Sequence, residues 1–192
     1  MIKEFPLVII AGGKSSRMGK DKALLPFGKY QTLTQFQYKR LSPYFQDVYI
    51  SSKTDKFDFK CTVIRDTHKE YSPLIAIISI FETLKVDEVF ILSVDVPFVD
   101  KEVIETIFTS RNDKSDIVVA KSPSGIQPLC GCYKKSMVPL VYAQLAKGKH
   151  KLLDLLALAH TEFVEFEDDE LFTNLNHPQE YLEALKGTSK NS

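Results

Sequence analysis

Tryptophan is absent, cysteine occurs three times in 192 residues, and acids and bases balance at 25 each. An odd cysteine count with a C-x-C pair (Cys130, Cys132) and no C-x-x-C is poor material for a disulfide framework or a zinc site. On a strand, Cys130 and Cys132 would share one face, so we read them as small buried hydrophobes. A reducing cytoplasm is the simplest setting. The absence of a basic excess removes the field a nucleic-acid binder uses to grip a phosphate backbone. A polyanionic ligand must then be met by local positive groups. No apolar run exceeds nine residues, Pro73 to Phe81, which reads as a buried helix and not a membrane span. The N-terminal stretch lacks a small-residue cleavage site, so no signal peptide is expected. The four histidines, His68, His150, His160 and His177, show no ligand spacing and read as loop or surface residues. Neither an internal repeat nor a low-complexity linker breaks the chain.

What is present is a globular composition, 44% hydrophobic and 26% charged. One domain is expected over residues 1–186, with 187–192 as a disordered tail. Short β-branched runs at Leu7–Ile10, Val48–Ser51, Thr62–Ile64, Val89–Val94, Ile117–Ala120 and Phe163–Phe166 read as strands. They alternate with helical patterns at Thr32–Leu41, Leu74–Leu84, Lys101–Ser110, Lys135–Leu145, Lys151–Ala159 and Pro178–Leu185. "LVII" and "VFILSV" are continuously apolar, as strands covered on both faces are. The alternation predicts an α/β fold: three layers, a mostly parallel sheet and helices on both faces. Ligands of such sheets sit beyond the carboxyl ends of the strands. Two chemically rich segments fall at such ends, the loop after Ile10 and "SVDVP" after Leu92.

The first of these reads "AGGKSSRMGKDK" from Ala11 to Lys22. Gly13 and Gly19 are one residue too far apart for a P-loop, and Asp21 stands where its magnesium-ligating hydroxyl belongs. The G-x-G-x-x-G fingerprint is missing as well. Adjacent Gly12 and Gly13 let the backbone approach a ligand closely, and successive amides can form an anion-binding nest. Arg17 and Lys22 add two charges, one suited to bidentate phosphate contact and one a point charge. A phosphate cradle is the reading.

The string closely resembles the signature of molybdenum cofactor guanylyltransferases, the MobA family. Ala11-Gly12-Gly13 and Asp21-Lys22 favour this guanylyl branch over sugar-phosphate and cytidylyl relatives. Weaker islands, "VIRD", "SPL", "SVDVPF", "IQPL" and "NLNHPQE", follow in the family's order, so the likeness covers roughly Val8 to Tyr181. It implies a Rossmann-like nucleotidyltransferase fold and transfer of GMP from GTP to the molybdopterin cofactor, releasing pyrophosphate. It implies nucleotide contacts at Ile10, Ala11, Gly12, Gly13, Ser15, Lys22, Asp66 and Asp95, with Arg17 and Lys22 as catalytic cations and Mg2+ on Asp95. Cofactor-delivery or molybdoenzyme-maturation proteins would be partners, and neither nucleic acid nor membrane would be.

Several of these positions keep alternatives. Asp95 ends an apolar strand, where an unpartnered carboxylate is costly and a metal would repay it; the other reading is a turn carboxylate before Pro97. Asp66 either contacts the base or ribose, or forms a turn with Thr67. Asn174 and Asn176 either serve the pterin acceptor or belong to a capping loop ahead of Pro178. Gln127, with Pro128, resembles an acceptor-side segment. Ser72 and Ala76 stand where the family has glycine, and His177 where it has threonine. The attacking phosphate oxygen is already ionised, so no general base is needed, and positioning and charge neutralisation must carry catalysis. The alternatives are a CTP-using or sugar-phosphate nucleotidyltransferase of the same fold, and a non-catalytic GTP-binding cofactor carrier.

Overall fold

A computed structural model describes residues 4–12, 19–68 and 72–188, without the side chains of 187 and 188. Seven strands form one sheet in the order β3-β2-β1-β4-β6-β5-β7. They are β1 Leu7–Ile10, β2 Val48–Ser51, β3 Thr62–Ile64, β4 Glu88–Ser93, β5 Ile117–Ser122, β6 Gly125–Lys134 and β7 Thr161–Glu165. The pairings of β1 with β2 and β4, of β2 with β3 and of β5 with β7 are parallel, while β6 runs antiparallel to both β4 and β5. The helices are α1 Leu33–Leu41, α2 Pro73–Leu84, α3 Lys101–Thr109, α4 Val138–Leu145, α5 Leu152–Leu158 and α6 Pro178–Thr188.

The pleat of β1 sends Leu7 and Ile9 to one face and Val8 and Ile10 to the other, all buried. The first face is covered by α1, α3 and α6, the second by α2, α4 and α5. This is the three-layer arrangement that the apolar strands predict. Helix starts follow local chemistry. The side chains of Thr32, Ser72 and Asp100 accept hydrogen bonds from Gln35, Ile75 and Val103 amides and cap α1, α2 and α3. Ser72 is thus a capping residue. The helix expected over Lys135–Leu145 begins as a 3-10 turn, Lys135–Met137, and becomes α-helical only at Val138, with Pro139 in its first turn.

Strand β6 has no counterpart in the sequence reading. Proline and glycine demote such a run, because proline cannot donate to a ladder. Here the ladder jumps from Val119 opposite Gly131 to Ala120 opposite Gln127, so Pro128 sits in a bulge where β5 asks nothing of it. Gly131 is required at the jump: a Cβ there would lie 2.2 Å from the Val118 carbonyl oxygen and 2.8 Å from Val119 Cα. Cys130 and Cys132 are buried in the same core face, and burial pushes the Cys130 thiol up to about 12. Both are the small inert hydrophobes expected of them.

Candidate functional site

Strands β1 and β4 lie side by side and end together, with Ile10 opposite Ser93. Their exits stay tied, since the Val94 amide donates to the Ile10 carbonyl at 3.0 Å. Ala11 in turn donates to the Ser51 carbonyl at the end of β2, at 2.9 Å. β2 lies on the other side of β1, so the chain leaves β1 at the point where the sheet order reverses. A crevice at that point is where doubly wound sheets hold ligands.

Three segments far apart in sequence meet there. Lys22 Nζ donates to Asp95 Oδ2 at 2.5 Å and to Asn176 Oδ1 at 2.8 Å. Ser93 Oγ donates to the other Asp95 oxygen at 2.6 Å. The Lys22 and Asp95 side chains are only 16% and 14% exposed, so each charge gains from the other in a poorly solvated place. The pair is held from behind: Leu175 N donates to the Asp95 carbonyl at 2.9 Å. Asn176 is fixed by Glu180, whose carboxylate accepts from the Asn176 and His177 amides at 2.6 and 2.7 Å, closing the start of α6 as a capping box does. Asn176 thus belongs to the capping loop, one of the two roles left open for it, and it also contacts the loop lysine, which the sequence did not suggest.

Asp21, just before Lys22, caps the 3-10 turn Lys22–Leu24 by accepting from Ala23 N at 3.1 Å. Its other oxygen takes a hydrogen bond from Lys56 Nζ, which also reaches the Ala11 carbonyl at 3.3 Å. One ammonium thus ties together the two ends of the glycine loop. Gly19 takes φ 65°, a left-handed conformation that a side chain would strain. A Cβ at Gly12 would meet only ordinary contacts, 4.0 Å from Ser51 O and Ser52 Cα. Gly13, Ser15 and Arg17 lie outside the described residues.

Asp66 follows β3 at the same edge of the sheet, half-buried. Burial raises its carboxyl above the usual range, against the pull of Lys53 and His68. Thr67 is engaged elsewhere: its amide donates to Ser79 Oγ at 2.8 Å and its hydroxyl to Glu82 at 2.7 Å. Gln127 stands at the start of β6, beside the C-terminal end of β5, with its amide 3.3 Å from Ser122 Oγ. Asn174 turns its amide back onto the Phe172 carbonyl at 3.1 Å. Ile10 and Ala11 are buried.

Sequence reasoning missed Lys56, which comes from an irregular segment with no periodicity to mark it. It also missed Thr34, Gln37 and Arg40 on α1. Their only signal was weak: Thr34 and Gln37 fall on the same helix stripe as Leu33 and Leu41, the face expected to be buried. Among the described residues, no cluster of three or more His, Cys, Asp or Glu could hold a metal unaided.

Residues 7–163 match the family model of the MobA-like NTP transferase domain. A molybdenum cofactor guanylyltransferase from Campylobacter jejuni is 42% identical over 184 residues, covering 94% of this chain and 95% of that relative. One from Helicobacter pylori is 31% identical, covering 97% of this chain and 94% of its own length. The solved structure of molybdopterin-guanine dinucleotide biosynthesis protein A from Archaeoglobus fulgidus shares the fold. Its TM-score is 0.83 at 20% identity, over 97% of this chain and 100% of that one. With a family model matched over most of its length and guanylyltransferase relatives spanning nearly all of it, this chain belongs to the molybdenum cofactor guanylyltransferases, among the MobA-like nucleotidyltransferases.

Proposed function

We propose that the protein transfers GMP from GTP to the terminal phosphate of molybdopterin cofactor. An acceptor phosphate oxygen forms a bond to the α-phosphorus of GTP, the bond from that phosphorus to the oxygen bridging the β-phosphate breaks, and pyrophosphate leaves with the electron pair. The observation that carries this reading is the meeting of Lys22, Asp95 and Asn176 at the crevice beyond β1 and β4. A cation from the signature loop, a carboxylate and an amide converge there, which supports their acting on one ligand.

The roles follow from charge. An anion must attack an anion, so the barrier is electrostatic. The amides of Gly12, Gly13 and Ser15 hold the triphosphate, with Ile10 and Ala11 beside them. Arg17 and Lys22 neutralise charge on the α-phosphate and the leaving pyrophosphate. Asp66 accepts from the base or ribose. Gln127, Asn174 and Asn176 face the acceptor. Mg2+ commonly takes one or two carboxylates and fills its remaining positions with substrate phosphates and water, so a single carboxylate at Asp95 fits it. When bound, it supplies Lewis-acid charge neutralisation at phosphate oxygens. Lys22 compensates the Asp95 charge in the ligand-free protein, and with Asp95 engaged by the ion it would be available to the phosphates. No helix among the described residues is long and apolar enough to cross a membrane. We place the protein in the cytoplasm, with delivery or maturation proteins as partners.

The test is pyrophosphate release from GTP, CTP and ATP, with Mg2+, with and without molybdopterin cofactor. Release with GTP alone, and only when the cofactor is present, is expected. Release with CTP would move the protein to the neighbouring cytidylyl activity. GTP binding with no release in any mixture would make it a carrier.

A further inference from the structure

We infer that the inner face of α1 is a template that sets the spacing of Lys22 and Asp95, with Thr34, Gln37 and Arg40 as its positioning residues. The inference rests on the roles proposed above for Lys22 and Asp95. Residues three apart on a helix are neighbours on one face. Thr34 and Gln37 are both fully buried, on a helix whose other inward residues are Leu33 and Leu41. Such a stripe belongs in a core only if its polar atoms are satisfied.

Its donors reach the two loops that carry the pair, while Arg40 Nη2 stays buried without a partner. Thr34 Oγ1 donates to the Ala23 carbonyl at 2.8 Å, on the residue directly after Lys22. Gln37 Nε2 donates to the Val94 carbonyl at 3.3 Å and the Val96 carbonyl at 3.1 Å, one on either side of Asp95. Gln37 Oε1 accepts from Arg40 Nε at 2.7 Å, which holds the carboxamide with its two hydrogens toward the loop. Arg40 Nη1 donates to the Val99 carbonyl at 2.8 Å. The segment from Val94 to Val99 has left the sheet, and α1 supplies the donors that a neighbouring strand would otherwise provide. One rigid helix thereby grips the lysine turn with Thr34 and the aspartate loop three residues later. Groups that orient a metal-binding residue are worth about 10- to 100-fold in affinity or activity.

The test uses the full chain and two kinds of readout: GTP and Mn2+ affinity by calorimetry, and pyrophosphate release with Mg2+. Gln37→Met should weaken Mn2+ binding in the presence of GTP and raise the half-saturating Mg2+ concentration, each about 10-fold. Thr34→Val should weaken GTP binding in EDTA by about as much, and Thr34→Ser should restore it. The decisive measurement is non-additivity. Gln37→Met added to Asp95→Asn, and Thr34→Val added to Lys22→Ala, should change nothing further, because each acts through the residue already lost. If Gln37→Met fails to fold, Arg40→Lys loosens the same carboxamide and is read the same way. Lower stability with unchanged metal and GTP affinity, or double variants whose losses multiply, would overturn the template. Full activity in Lys22→Ala and Asp95→Asn alone would overturn the proposed role of the pair and the template with it.

Discussion

Strand β4 carries a carboxylate at each end, Glu88 at its start and Asp95 just past its close, and both are ion-paired. The two pairs are about equally covered: side-chain exposure is 13% for Glu88 and 21% for Arg111, against 14% for Asp95 and 16% for Lys22. Burial therefore does not tell them apart. Their surroundings do. Arg111 has its guanidinium 4.4 Å from the Phe5 ring centre and 4.2 Å from that of Phe108, and its Nε donates to the Phe108 carbonyl at 2.9 Å. A planar cation laid against two mutually edge-packed rings and tied to the Phe108 carbonyl has one place to be. Lys22 is a point charge on a four-carbon stem, and it meets Asp95 beyond the carboxyl ends of β1 and β4. The first pair joins α3 to β4. On the function proposed above, the second is an ion pair that substrate rearranges.

That contrast predicts opposite consequences for equivalent changes. The largest effect is expected at the open end. Lys22→Ala and Asp95→Asn should each lower pyrophosphate release by on the order of 100- to 1000-fold, as losing a charge-stabilising group does. Each change also leaves one covered charge uncompensated, so a stability cost like that of Arg111→Met is expected beside it, far too small to account for the loss of turnover. A matched loss of stability and activity would make the pair structural and erase the comparison. At the closed end, Arg111→Met leaves Glu88 buried without its cation. It should cost on the order of 2 kcal/mol in urea unfolding, a figure reduced from that of a fully buried pair for residual exposure. Turnover per folded molecule should not change.

A swap sharpens the difference. Arg111→Lys keeps the charge but forfeits the stacked plane and the Nε bond, so a stability loss of about 1 kcal/mol is expected from the cation–π and packing terms. Lys22→Arg also keeps the charge but brings a planar fork to a place built around a point donor shared by Asp95 and Asn176. Its expected cost is in turnover, with stability unaffected. Measuring both quantities for both variants separates a pair chosen for shape from one chosen for charge.

The open end was the more legible from sequence. "LVII" and "VFILSV" announce buried parallel strands, and the glycine loop and "SVDVP" follow their ends, so local pattern and ligand chemistry coincide. Asn176 was singled out only through its segment's resemblance to the family and the proline-started helix after it, and its contact with Lys22 was not legible. Harder to read was everything that depends on distant packing. Strand β6 hides behind Pro128 and Gly131, whose meaning appears only when β5 is laid beside them. Lys56 and Gln37 touch the site through partners 45 and 57 residues away. The Arg111–Glu88 pair crosses from α3's end to the start of β4, and neither residue belongs to a local motif.

The smallest effects concern pH, and the two edges of the sheet should again differ in sign. Asp116, before β5, sits at the closed edge. Burial raises its carboxyl, but hydrogen bonds from Ser136 and His160 outweigh burial and leave it below its ordinary 3.8. Asp66, after β3, sits at the open edge, and burial holds it above 3.8. Stability rises with pH wherever the unfolded chain binds more protons than the native one. For Asp116 that window lies below 3.8, where the unfolded carboxyl is protonated first. Its contribution is therefore complete at neutral pH and is lost as pH falls through its folded value. For Asp66 the window lies above 3.8, and there the native state holds the extra proton. Its ionisation therefore costs stability as pH rises through its folded value. Urea midpoints taken from about pH 3 to pH 7 should show the acid-side loss reduced in Asp116→Asn and a modest gain at neutral pH in Asp66→Asn. On the role proposed above, Asp66 meets the base or ribose of the nucleotide, whose donors would offset that cost. Bound GTP should then remove the Asp66→Asn advantage. If that advantage persists unchanged with saturating GTP, Asp66 does not touch the nucleotide.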